Sequence, residues 1–292
     1  MTTHEVGTAD GRTLAVQEAG AADGPVLLSQ HGSPGSGRPY RTEVEGAERL
    51  GARLLTYDRP GYGGSTPHPG RRIADAAADV TAILDALGAG RFATYGWSGG
   101  GPHALACAAL LEGRCAAAAT IAGAAPADAP DLEFTDGMGE GNVEEFGKAR
   151  EGREPLAAML RREAEGLASV TPDQLADAIS PHLGGADAAA LRGELAEFLH
   201  GMILGGLARG VEGWLDDDLA FVEPWGFDVA AIDVPVSIWQ GDEDLMVPGA
   251  HGRWLAAHVA GAESQLLPGE GHLTLFANRI GDIQSWLAGH LR

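Results

Sequence analysis

Two kinds of apolar pattern alternate along most of the chain. Short, mostly apolar runs bounded by Gly, Pro or Asp are typical of strands. They cover residues 6–8, 13–17, 25–30, 53–57, 92–95, 116–122, 235–240 and 264–267. Between several of these runs apolar residues recur every three or four positions, as they do from Ile73 to Leu87, which predicts helices. The alternation predicts an α/β fold with a mostly parallel, doubly wound sheet, preceded by a hairpin that turns at Asp10-Gly11.

The alternation stops after the strand that ends near residue 122. Residues 127–228 favour helices and loops, and Thr171-Pro172-Asp173-Gln174 is typical of a helix start. An apolar stripe follows between Leu191 and Ile203, which fits either helix packing or a substrate wall. We therefore predict a core formed by residues 1–126 and 229–292, interrupted by a helical cap at residues 127–228.

The composition narrows the class of protein. The chain has 292 residues, of which 45% are hydrophobic, as in a folded globular protein. Its formal net charge is −21, and the resulting electrostatic field repels nucleic acids and anionic membrane surfaces. No apolar stretch reaches the roughly 18–20 residues of a membrane span, and the N-terminus has no signal-peptide pattern. We expect a cytoplasmic monomer or homodimer that acts on a small molecule and binds neither nucleic acid nor membrane.

Charge is concentrated in the predicted cap. Residues 127–228 contain 22 Asp and Glu but only 7 Lys and Arg. A solvated acidic surface explains this excess, and so does a preference for neutral or cationic substrates. The two cysteines, Cys107 and Cys115, form no metal-binding spacing, so we expect reduced, partly buried thiols and no metal or organic cofactor.

The pentapeptide GWSGG at residues 96–100 joins a predicted strand to a predicted helix. A serine on such a turn lies at the carboxyl edge of the sheet, and small neighbours let the backbone pass closely. Ser98 is therefore the candidate nucleophile. The N–H of Gly99 and that of Ser33, in the loop HGSPGSG at residues 31–37, are candidate donors to an oxyanion, and the Ser33 hydroxyl is a possible third.

A serine hydroxyl needs a base, and the base needs an acid to orient it. His272 follows the last predicted strand in a Gly-rich loop, which makes it the candidate base. His31 and His103 suit supporting roles. The loop after the penultimate strand contains three acids, Asp242, Glu243 and Asp244. Asp244 is favoured because it lies farthest into the loop, with Asp242 as the alternative.

Five motifs occur in an order that resembles the α/β-hydrolase superfamily. They are HGSPGSG (31–37), DRPGYGGS (58–65), GWSGG (96–100), GDEDLMVP (241–248) and GEGHL (269–273). The resemblance implies a catalytic triad of Ser98, Asp244 and His272, with Ser33 and Gly99 at the oxyanion hole. Epoxide hydrolases and haloalkane dehalogenases of this superfamily have Asp at the nucleophile position, so Ser98 argues against both activities.

The motifs predict a serine hydrolase that cleaves a small, fairly apolar ester, thioester or lactone through an acyl-enzyme. Trp97, Trp214 and Trp225 are candidate pocket residues, although each also fits ordinary packing. The HGxPG loop and the acidic cap resemble proline iminopeptidases, whose elbow normally reads GGSWG, so an aminopeptidase is an alternative. A carbon–carbon bond hydrolase with the same triad is another, as is a binding protein without turnover, which would not need all three triad residues.

Overall fold

Eight strands form one sheet, as the apolar runs predict. In residues 1–291, the part of the chain that the computed structural model describes, the strands are β1 (Thr2–Gly7), β2 (Thr13–Gly20), β3 (Val26–Gln30), β4 (Arg53–Tyr57), β5 (Phe92–Trp97), β6 (Cys115–Ile121), β7 (Val236–Gly241) and β8 (Glu263–Leu267). Their order is β1-β2-β4-β3-β5-β6-β7-β8. The β1–β2 and β2–β4 pairs are antiparallel and the remaining pairs are parallel, which confirms the predicted fold class.

Helices connect the strands and fill the interval between β6 and β7. They are α1 (Arg41–Leu50), α2 (Ala76–Ala86), α3 (Gly100–Leu110), α4 (Glu140–Glu151), α5 (Arg153–Ala168), α6 (Pro172–Ile179), α7 (Gly185–Ala190), α8 (Gly193–Gly206), α9 (Glu212–Val222), α10 (Gly249–His258) and α11 (His272–Gly289). Single 3₁₀ turns lie at Ile73–Asp75, Ser180–His182 and Val229–Ala231.

The core lies on both faces of the sheet. Side chains alternate between the faces along a strand, so Leu27 and Leu54 join a different apolar cluster from their neighbours Leu28 and Leu55. Helices α1 and α11 cover the first face, whereas α2, α3 and α10 cover the second. Such two-sided burial explains why the central strands, β3 to β7, are mostly apolar along their whole length, whereas the outer strands β1, β2 and β8 are partly exposed.

The segment between β6 and β7 contains six α-helices, α4 to α9. Helix α6 begins as its sequence predicts: Thr171 Oγ1 accepts from Gln174 N at 3.3 Å, and Thr171 N donates to Gln174 Oε1 at 2.9 Å. The stripe on α8 packs into the same apolar cluster as α11, through Leu195, Leu199 and Met202. The segment is helical as expected, while its definition as a separate cap stays a prediction. We call α4 to α9 and their loops the helical segment.

Cys107 and Cys115 are both buried and not disulfide-bonded, as expected. Within the described range of 1–291, every helix is too short or too polar to cross a membrane.

Candidate active site

The turn between β5 and α3 holds Ser98 in a strained conformation. Its φ is 54°, in the left-handed region that L-residues with side chains seldom adopt. The flanking glycines make this turn possible, because a Cβ on Gly96 would lie 2.0 Å from the Gly100 carbonyl oxygen and one on Gly100 would lie 2.1 Å from the Gln30 carbonyl oxygen. The small residues of the motif are therefore required by backbone contact.

Asp244 and His272 meet at the same edge of the sheet. Asp244 follows β7, His272 begins α11 after β8, and the His272 Nδ1···Asp244 Oδ2 distance is 2.9 Å. Both side chains are buried. Burial opposes a charged imidazole, but the Asp244 carboxylate outweighs it and raises the pKa of His272 above its ordinary value. A buried base with an orienting acid is the pair that a serine nucleophile needs.

The structure brings Asp244, and not its two acidic neighbours, to the imidazole. Asp244 Oδ1 accepts the N–H groups of Met246 and Val247 at 2.9 and 2.8 Å, which fixes the carboxylate and leaves Oδ2 for His272. Asp242 is exposed and accepts from Gly269 N instead. Glu243 is exposed and accepts from Ala186 N in the helical segment.

Ser98 and His272 line one cavity of about 240 Å³. Within residues 1–291 no hydrogen bond joins Ser98 Oγ to the imidazole, a contact that in unliganded enzymes often tightens only with substrate. Trp97, which precedes the serine, donates from its indole N–H to the His272 carbonyl at 3.1 Å and stacks on Phe276 at 4.7 Å. The residue next to Ser98 thus holds the first turn of α11, which carries His272.

The two candidate oxyanion donors lie side by side. A Cβ on Gly99 would come within 2.4 Å of Ser33 Oγ, so only glycine fits there. Among residues 1–291 neither the Ser33 N–H nor the Gly99 N–H donates to a protein acceptor, so both remain available to a ligand oxygen. The Ser33 hydroxyl is committed elsewhere, since it donates to Asp217 Oδ2 at 2.5 Å and accepts from Arg59 at 2.8 Å.

Behind Ser33 lies a buried ionic network, which we call the Ser33 flank; it comprises Ser33, Arg59, Tyr62, Arg71, His103 and Asp217. Asp217 of α9 is fully buried, and its carboxylate accepts from Arg59 at 2.6 Å, Arg71 at 2.5 Å and Tyr62 at 2.9 Å. Burial alone would raise the pKa of Asp217, but the two guanidinium groups hold it well below its ordinary value. Asp217 is therefore ionised, and it connects the helical segment to the oxyanion loop.

The two buried supporting histidines, His31 in the 31–37 loop and His103 in α3, are neutral. Burial and the nearby Arg59 lower the pKa of His103 to about 3, and His103 Nδ1 lies 2.8 Å from the Gly99 carbonyl oxygen. The same two causes place the pKa of His31 well below its ordinary range, and its Nε2 accepts from Arg59 N at 3.1 Å. Both therefore hold backbone beside the oxyanion donors, as the sequence suggests.

A second acidic site, the Glu145 flank, comprises Glu145, Asp218 and Trp214. Glu145 of α4 and Asp218 of α9 line the same small cavity, and burial raises the pKa of both carboxyl groups, that of Asp218 well above its ordinary value. The Trp214 indole N–H donates to Glu145 Oε1 at 2.8 Å. Like charges at close range cannot both ionise without a large cost, so we expect this pair to retain one proton.

Two connected chambers meet at Ser98. The larger, of about 240 Å³, lies beside His272 and includes Trp97, Trp214, Leu175 and Ile179. The smaller, of about 60 Å³, lies beside Gly99 and is lined by Glu145, Asp218, Phe146, Phe221 and other apolar residues. A wider groove of about 760 Å³ lies at the β1–β2 turn and α2, away from these side chains.

The three tryptophans that were predicted to line a substrate pocket lie in different places. Trp97 and Trp214 line the larger chamber. Trp225 does not reach it: the side chain is buried in the apolar cluster under α2 and α3, with its ring 5.7 Å from that of Phe227. The residues that sequence reasoning missed are Asp217, Glu145 and Asp218, and also Asp187 of α7. The triplet Asp216-Asp217-Asp218 between apolar neighbours on one helix was the available signal, because part of such a run must turn inwards.

Comparisons with known proteins support the α/β-hydrolase fold. A family model described as "alpha/beta hydrolase fold" matches residues 25–161. A non-heme chloroperoxidase of Streptomyces lividans is 28% identical over 252 residues, which cover 84% of this chain and 83% of that protein. Epoxide hydrolase B of Mycobacterium tuberculosis is 32% identical over 96 residues, 32% of this chain and only 27% of the relative. The structure of a thermophilic esterase from Thermogutta terrifontis superimposes with a TM-score of 0.72 at 23% identity, with full coverage of both chains.

Proposed function

This chain belongs to the α/β-hydrolase superfamily, and we propose that it is a serine hydrolase that cleaves a small, fairly apolar ester, thioester or lactone through an acyl-enzyme on Ser98. The observation that carries the proposal is the 2.9 Å contact between Asp244 and His272 at the wall of the cavity that also holds the strained Ser98. Ser98 in place of an aspartate nucleophile argues against epoxide opening, although one relative is an epoxide hydrolase.

The proposed reaction has two halves. Ser98 Oγ attacks the substrate carbonyl carbon while His272 accepts the hydroxyl proton, and Asp244 stabilises the resulting imidazolium. The N–H groups of Ser33 and Gly99 stabilise the oxyanion. The bond to the leaving oxygen or sulfur then breaks, and His272 returns the proton to that atom. Water, deprotonated by His272, attacks the acyl-enzyme and releases the carboxylic acid and free Ser98.

The chambers support a small acyl group. The leaving group must lie near His272, which protonates it, and therefore in the larger chamber. The acyl group then points into the smaller chamber of about 60 Å³ beside Gly99. We infer that turnover falls as the acyl chain lengthens, whereas the alcohol portion can vary.

A second candidate function, an aminopeptidase, is favoured by the Glu145 flank. Glu145 and Asp218 line the smaller chamber, where the α-amino group of a small aminoacyl substrate would lie. Loss of the shared proton would leave two carboxylates for one ammonium group. The two functions differ in the substrate they need, because only the aminopeptidase requires a cationic acyl group.

The test combines labelling with substrate screening. A fluorophosphonate probe should modify Ser98 in the native protein, and Ser98→Ala should abolish labelling and lower kcat by roughly 10⁴-fold or more. Ser169→Ala, at an exposed serine of the helical segment, is the matched control and should be labelled normally. Labelling that survives in Ser98→Ala contradicts the nucleophile assignment. Turnover of aryl esters supports the first function, while exclusive turnover of amino-acid aryl amides supports the second.

A further inference from the structure

The helix that carries the base is capped by a residue from the helical segment. Asp187 of α7 is buried, and its carboxylate accepts the backbone N–H of His272 at 2.6 Å, of Leu273 at 3.0 Å and of Thr274 at 2.9 Å. Gly271 makes room, since a Cβ there would lie 2.4 Å from the Asp187 carboxyl carbon. This carboxylate lies 85 residues before His272 along the chain.

These contacts satisfy a general need of helices. The first N–H groups of a helix have no acceptor within it, and a nearby side chain normally supplies one. Gly271, at the cap position of α11, has no side chain that could do so. Asp187 replaces the local cap and also places a negative charge at the positive end of the helix.

Helix α7 touches both loops that carry the base and the acid. Asp187 holds the first turn of α11, and the N–H of its neighbour Ala186 donates to Glu243 Oε2 at 3.1 Å, one residue before Asp244. At Gly184, a Cβ would approach the Glu243 carbonyl oxygen to 2.1 Å, so the chain packs closely against the acid loop. Movement of α7 would therefore alter the relation between Asp244 and His272.

We propose that Asp187 is a positioning residue for His272: its carboxylate fixes the backbone of the base and its charge stabilises the imidazolium formed during turnover. The proposal rests on the function proposed above. The charged groups that act on the imidazole are Asp244, at the ring, and Asp187, at the backbone. Both raise the pKa of His272 against the opposing effect of burial. The helical segment thereby supplies part of the catalytic geometry.

The test is Asp187→Asn, which keeps the shape and removes the charge. We expect kcat for an aryl ester to fall about 10- to 100-fold, with a smaller change in KM. The acid limb of the pH dependence of kcat/KM should move to lower pH, because the pKa of His272 falls when a neighbouring negative charge is removed. Asp173→Asn, at an exposed aspartate of α6, is the control and should match the native protein.

A second measurement does not depend on turnover. In the Ser98→Ala background, NMR titration of isotope-labelled histidines should show a lower pKa for His272 when Asp187 is replaced by Asn, with the His272 signal assigned by its loss in His272→Asn. An unchanged His272 titration overturns the proposal. An active native enzyme with an unaltered Asp187→Asn pH profile overturns it too, whereas no labelling and no turnover in the native protein overturns the proposed function instead.

A milder variant covers the case in which Asp187→Asn does not fold. Glu243→Ala removes the exposed contact to Ala186 and loosens α7 without touching a buried group. The loss of one exposed hydrogen bond should lower kcat by roughly threefold. Unchanged kcat in this variant, with Asp187→Asn unfolded, would contradict a role for α7 in placing the base.

Discussion

The Ser33 flank and the Glu145 flank both lie beside Ser98, but they shift the pKa values of two neighbouring aspartates of α9 in opposite directions. Asp217 faces Arg59 and Arg71 and has a strongly lowered pKa. Asp218, the next residue, faces the carboxyl group of Glu145 and has a strongly raised pKa. Successive helix residues point about 100° apart, so one step along α9 changes the surroundings completely.

The comparison shows that a run of acidic residues has no common role. The ionised carboxylate of Asp217 fixes the positions of Ser33, Arg59 and Arg71, because it binds all three side chains. Asp218 lies with Glu145 against the smaller chamber, and we expect this pair to bind or release a proton according to what the chamber holds. Three predictions test this contrast.

The largest effect is expected at Asp217. Asp217→Asn leaves Arg59 and Arg71 buried without their counter-charge, which should destabilise the fold by about 3–5 kcal/mol. Urea unfolding monitored by circular dichroism measures the loss. The matched control is Asp85→Asn, which breaks the exposed pair with Arg114 and should cost less than about 1 kcal/mol. Equal losses for the two variants would contradict the assigned role of the Ser33 flank.

The pH dependence of stability should differ between the flanks. A lowered pKa in the folded state means that the Asp217 contribution is present above the unfolded pKa and is lost only as pH falls through the lower folded value. The raised pKa of Asp218 has the reverse consequence: its contribution is full below the unfolded pKa and is lost as pH rises towards the folded value.

Asp218→Asn should therefore be stabilising at neutral pH. In the native protein the pair keeps a proton that the unfolded chain releases, which weakens the fold by about 1.4 kcal/mol per pH unit in that range. At neutral pH the variant should unfold at a higher urea concentration than the native protein, and its stability should change less as the pH rises above the ordinary carboxyl pKa. A slope as steep as that of the native protein would show that the pair carries no shared proton.

The smallest effect is expected from Trp214→Phe. The variant removes the indole donor to Glu145 and should cost about 0.5–1.5 kcal/mol. It should also raise the pKa of Glu145, because a hydrogen bond that favours the ionised carboxylate is lost. Trp286→Phe removes the corresponding contact to Glu263 on the surface and should change stability less. If Trp214→Phe also changed the stability contributed by the Ser33 flank, the two flanks would not be independent.

Local patterns explain why the sheet, and the places of Ser98, Asp244 and His272 at one edge of it, could be predicted. The central strands are apolar because both their faces are covered, and the turn at Ser98 needs glycines within two residues. The loop positions of Asp244 and His272 followed from the strands before them. The choice between Asp242 and Asp244 needed coordinates, since it depends on which carboxylate turns towards the imidazole.

Contacts across long stretches of chain were not predictable. Asp187 and Asp217 look like any acidic residue of a helical surface, because their partners lie 85 and 158 residues away. Trp214 and Trp225 likewise have similar sequence surroundings, but only Trp214 turns to the cavity. The spacing of apolar residues predicts a helix, but it does not show which neighbouring elements the side chains of that helix will contact.

The two buried aspartates of the helical segment restrict how a ligand can arrive. Swinging the segment away as a rigid flap would separate Asp187 from three N–H groups and Asp217 from two guanidinium groups. Glu163 on α5 is exposed and also lines the larger chamber, so the cavity wall reaches solvent beside it. We expect ligands to enter on this side through small shifts of α5 and α6, while Ser98, Asp244 and His272 keep their positions.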